Sequence, residues 1–162
     1  MKFILERVFS STPPSLATHG NDTTTPRRAT AHRPPNKTSR RGLVTSRVGQ
    51  GYYRQQILQR FNYRCAVTGS KMEEILIASH IVPWREATDE ERLDVDNGIL
   101  LSPIYDALFD KHLISFTDDG VMLLASTLGT EDVESLGIDT SLRVAVSDGM
   151  TPYLGRHREN LR

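Results

Sequence analysis

Three short runs constrain this chain more than anything else in it: Ala78-Ser79-His80-Ile81-Val82-Pro83-Trp84, Asp96-Asn97-Gly98-Ile99-Leu100-Leu101 and Tyr105-Asp106-Ala107-Leu108-Phe109-Asp110. Ile75-Leu76-Ile77-Ala78 is a strand candidate that leads straight into Ser79-His80 and is stopped by Pro83. Gly98-Ile99-Leu100-Leu101 reads as a second short strand after a polar loop. Pro103 suits the first position of a helix and Ser102 its N-cap, so a helix is predicted from 103 to about 111. Strand, loop, strand, helix is the resulting order. It sets a histidine, an asparagine and two carboxylates beside apolar runs that fix their positions.

The flanking sequence supplies the remaining elements. Tyr53, Ile57, Leu58 and Phe61 fall at i, i+4, i+5 and i+8, one face of a helix over about 51–62, with Arg54 and Arg60 off that face. Cys65-Ala66-Val67-Thr68-Gly69 reads as a short strand and turn. A short surface helix is predicted within 86–93, capped by Thr88 or Asp89. Residues 113–116 and 121–124, around Asp118-Asp119-Gly120, predict a hairpin, and 151–161 a closing helix with Tyr153, Leu154 and Leu161 inward.

With 162 residues the chain suits one domain plus an unfolded tail. Its single cysteine, Cys65, excludes an intrachain disulfide and a four-cysteine zinc ribbon, which fits a reducing, cytoplasmic setting. No stretch nears the roughly 18 apolar residues that cross a bilayer, so no membrane role is expected. Formal charge is zero, yet residues 1–72 carry thirteen Lys or Arg against two acids, and residues 73–162 seven against eighteen. A polyanion would seek the first half, although a solvated basic tail, or pairing with the acidic half, is an equally good account. Residues 1–42 are rich in Pro, Ser and Thr and read as a disordered basic segment, with 43–162 as the folded domain. Few acids and many Ser and Arg also loosely suit an organelle transit peptide, but no amphipathic Arg-bearing helix is visible there.

Hydrolysing a phosphodiester near neutral pH requires a base for the attacking water and a cation for the charge on phosphorus and leaving oxygen. His80, at the end of a strand, is placed to be the base. Asp106 and Asp110 are four apart on the predicted helix and would share a hard cation, Mg²⁺ or Mn²⁺. Asn97 carries an amide that would orient His80 or its backbone. Arg54, Arg60, Arg64 and Arg85 are the candidate nucleic-acid contacts.

Together the C-x-x-T-G turn at Cys65, the A-S-H-I-x-P-W run, N-G-I-L-L and D-x-x-F-D resemble the HNH endonucleases of the ββα-metal type, over about residues 50–162. The resemblance implies an α+β fold: a ββα-metal core with a flanking helix and hairpin, preceded by the basic tail. It implies a metal-dependent endonuclease acting on DNA, with His80 activating water, Asn97 holding loop geometry or assisting the metal, and Asp106 as ligand. Two positions depart from the pattern. The last letter of the motif name is Asp106, which favours an oxygen-loving cation over zinc, and Ser79 stands where many relatives carry a ligand. Asp110 either completes the coordination or braces the loop. The rival reading is a non-catalytic nucleic-acid-binding module with a degenerate site; RNA as substrate is a third. The enzyme would be nonspecific, or targeted by a protein partner, a homodimer or a longer effector, in settings such as restriction, phage defence or mobile elements. Trp84 reads as packing under the loop, with base stacking as its alternative. His19, His32, His112 and His157 have no catalytic pattern, and His157 with Arg156 and Arg158 reads as a surface charge cluster, with a phosphate contact as its alternative.

Overall fold

The computed structural model describes residues 47–162, so the expectations for the basic segment 1–42 and for the start of the folded part lie outside the described residues. Helix α1 (Arg47–Arg60) buries Tyr53, Ile57 and Leu58, as its periodicity requires. It ends where Asn62 and Tyr63 take positive φ and the Tyr63 N–H returns to the Leu58 carbonyl at 2.8 Å, a Schellman-type stop. A 3₁₀ turn (Glu73–Ile75) precedes β1 (Ile77–His80), which pairs antiparallel with β2 (Gly98–Leu101), Ile77 opposite Leu101 and His80 opposite Gly98.

Alternate side chains of this ribbon face opposite ways. His80 and its partner Gly98 lie toward α1, where the His80 ring stacks on Tyr53 and a methyl on Gly98 would overlap Ile57 and the Tyr53 hydroxyl. Ser79 lies toward α2 (Pro103–Asp110), beside Asp106. Both faces are therefore covered, and all four residues of β2 are buried, which is why its sequence is a continuous apolar run rather than an alternating one.

A second ribbon, β3 (Ile114–Phe116) with β4 (Met122–Leu124), turns at Gly120, whose φ of 77° and close approach to the Val144 carbonyl leave no room for a side chain. Helix α4 (Thr151–Arg158) packs on β3 through Leu154 and His157, and Ile57, Leu58, Leu100, Leu101, Phe109 and Phe116 join one core.

Four details differ from expectation. Residues 65–69 form a turn and no strand, held to the ribbon by the Ala66 N–H on the Leu100 carbonyl at 2.7 Å. Residues 86–93 form turns: Thr88 and Glu91 make reciprocal capping bonds, but no helix propagates beyond them. A short helix α3 (Thr130–Ser135) had no predicted counterpart. His157 is buried, whereas a surface charge cluster was expected: its Nδ1 meets the Ser115 hydroxyl at 2.9 Å and its Nε2 donates to the Phe109 carbonyl at 3.0 Å.

Candidate active site

His80 closes β1 with its ring held on three sides. Tyr53 stacks on it at 4.1 Å between centroids, 8° from parallel; Trp84 meets it edge-on at 5.4 Å; and Nε2 lies 3.0 Å from the Arg92 carbonyl. A carbonyl only accepts, so Nε2 carries the proton of the neutral ring and Nδ1 keeps the lone pair. Burial pushes the His80 pKa below its usual range, favouring the neutral form, against the raising effect of the Arg92 carbonyl. The imidazole is thus oriented and basic at one nitrogen.

Asn97 holds the loop that follows. Wholly buried, its Oδ1 accepts from the Val82 N–H at 2.8 Å, and its amide donates to the Glu91 carbonyl at 3.1 Å and the Val82 carbonyl at 3.4 Å. The Asn97 carbonyl accepts from the Tyr53 hydroxyl at 3.0 Å and from the Ile81 N–H at 3.1 Å. Every polar atom of the Asn97 side chain is engaged with backbone of the loop around His80 and Arg92.

The carboxylates are apart from the histidine. Asp106 sits on the α2 face of the ribbon, its pKa raised by burial and by the like charge of Asp110, with Ser79 donation opposing the rise. Asp110 is exposed and paired with Lys111 at 2.9 Å. Asp106 and Asp110 thus share a side of α2, but no trio of His, Cys, Asp or Glu among the described residues is grouped to hold a metal. Adjacent strand residues point to opposite faces, so Ser79 turns toward Asp106 while His80 turns toward α1.

The four arginines divide. Arg54 donates to the Leu76 carbonyl at 2.6 Å and the Glu73 carbonyl at 3.0 Å, and Arg60 to Asp96 and Ser147, so these bonds fasten the basic side of α1 into the fold. Arg64 is exposed, and the Arg85 side chain is 80% exposed with Glu86 as its ion-pair partner.

Three participants had no functional signal in the sequence. The helical spacing of Tyr53 signals only core; Arg92 acts through its backbone carbonyl and through its guanidinium, 5.1 Å from the Trp84 ring centre; Ser79 departs from the motif pattern, and nothing local in sequence pairs it with Asp106. Among the described residues no helix is long and apolar enough to cross a membrane. Residues 65–117, from the Cys65 turn through β3, match the family described as HNH endonuclease. No curated protein matches the chain.

Proposed function

From an HNH endonuclease match spanning the ribbon and α2, we propose that this chain is a metal-dependent endonuclease that hydrolyses DNA, with His80 as general base. The observation that carries this reading is the Nε2 bond to the Arg92 carbonyl, which leaves Nδ1 of a neutral imidazole to take the proton of the attacking water. Tyr53 and Asn97 keep the ring and its loop in place, so little reorganisation accompanies proton transfer. Arg64 and Arg85 contact the phosphate backbone; Arg54 and Arg60 act mainly by fixing α1 to the ribbon and reach phosphate only through donors they have left.

The donor set around Asp106 fits a hard cation: it is all oxygen, and Mg²⁺ characteristically takes one or two carboxylates with water and substrate phosphate completing its shell. Asp106, with Ser79 beside it and Asp110 on the same side of α2, would hold Mg²⁺ or Mn²⁺ on the face of the ribbon opposite the His80 ring, where the cation would supply charge stabilisation to a phosphate reaching that face.

The test is plasmid cleavage over a series of divalent metals by the wild type, His80→Ala and His80→Gln, with circular dichroism on each. Loss of roughly 10²–10⁴-fold in rate with the fold retained is expected. Undiminished cleavage by both folded variants would sink the role of His80. Gel shift without cleavage in any metal would favour the binding module, and preferential digestion of RNA would correct the substrate.

A further inference from the structure

Beside His80 lies a cavity of about 380 Å³ lined by Gln50, Tyr53 and Arg54 of α1, Ile77 and Ala78 of β1, His80 and Trp84. We infer that this cavity is a nucleobase subsite, seating the base next to the phosphodiester whose attacking water His80 deprotonates; the inference rests on the nuclease reading. Its volume lies within the roughly 300–1,000 Å³ of ordinary small-ligand clefts. Tyr53, His80, Trp84, Ile77 and Ala78 make most of its lining, an aromatic and apolar composition suited to a planar base of any identity.

Charge favours the same occupant. The half of the chain from residue 73 onward is acidic, yet no carboxylate lines this cavity among the described residues, and Arg54 is the charged residue in its lining. An acidic lining would repel a polyanion; this one admits it. Gln50, which is exposed, adds an amide that both donates and accepts, suited to a base edge. Distance decides the rest: a base whose own phosphate lies at His80 has only the sugar between them, so it falls against the wall that the His80 ring completes.

Trp84 is the one tryptophan of the chain, so its fluorescence reports on this cavity directly. The full chain, in EDTA to prevent turnover, is titrated with a short thymidine oligomer and with an abasic deoxyribose-phosphate oligomer of equal length. The thymidine oligomer is expected to quench or shift Trp84 emission and to bind at least about fivefold more tightly, as one stacked base implies. Gln50→Ala, at an exposed position, and Ala78→Leu, which fills the cavity, should each shrink that advantage without weakening the abasic oligomer. Equal affinity for the two oligomers, or Trp84 emission that ignores a bound thymidine oligomer, overturns the subsite; a cavity already filled by the chain itself would give the second result. Plasmid cleavage by the same preparation keeps the two ideas separate: base-independent binding with intact cleavage removes the subsite alone, and base-dependent binding without cleavage removes the nuclease reading alone.

Discussion

Acid should weaken this fold through His157, and the size of the effect follows from its surroundings. The side chain is buried, stacked on Phe109 at 3.9 Å, with His112 at 4.3 Å and both ring nitrogens hydrogen-bonded. Nε2–H must donate to the Phe109 carbonyl, so Nδ1 accepts from the Ser115 hydroxyl. A second ring proton would face the hydroxyl now donating to it. Burial first, and the neighbouring His112 second, lower the His157 pKa from 6.5 to about 4; the Phe109 carbonyl and Asp110 work the other way. The folded pKa lies below the unfolded one, so the unfolded state takes the proton first. Stability is whole above the unfolded pKa and is lost as pH falls from 6.5 toward 4. Integrated from pH 7 to pH 5, the loss is about 2 kcal/mol. Urea unfolding in metal-free buffer at several pH values measures it. His157→Gln keeps a neutral donor for the Phe109 carbonyl and cannot titrate, so its stability should fall by about 2 kcal/mol less over that window. Equal pH slopes for the two proteins would refute the reasoning, whatever their absolute stabilities.

Two further substitutions probe the scaffold of the candidate site. Asn97→Ala strands the Val82 N–H, the Val82 carbonyl and the Glu91 carbonyl in a buried setting, and a loss of roughly 3 kcal/mol is expected in denaturant unfolding; a loss under about 0.5 kcal/mol would show that the loop satisfies itself. Gly98→Ala forces a methyl against Ile57 and the Tyr53 hydroxyl although the Gly98 φ of −137° suits any residue, so the cost is one of space, about 1–3 kcal/mol. Displaced Tyr53 should also leave the His80 ring, and a wild-type melting temperature would overturn that account.

Much of the core module was legible because local signals agreed with one another. Pro103 does begin α2, and the apolar spacing of Tyr53, Ile57 and Leu58 does mark the buried face of α1. Where local signals had no tertiary partner they misled. Thr88 caps a turn that never lengthens, because Asn97 draws the Glu91 carbonyl away at 3.1 Å, and the Arg92 carbonyl is held by His80. His157 sits among arginines in sequence, yet α4 turns it inward onto Phe109 while Arg158 reaches Asp118.

The sequence by itself determined the order strand, loop, strand, helix, the presence of His80, Asn97 and Asp106 at its corners, and the resemblance those residues carry. It could do so because turn residues, caps and apolar runs act over a few positions. Only the tertiary structure decided which way each corner faces: His80 toward α1, where Tyr53, Trp84 and the Arg92 carbonyl fix its tautomer, and Ser79 toward Asp106 on the other side. The reason is the pleat, which sends neighbouring side chains to opposite faces, together with helices from distant parts of the chain that cover both.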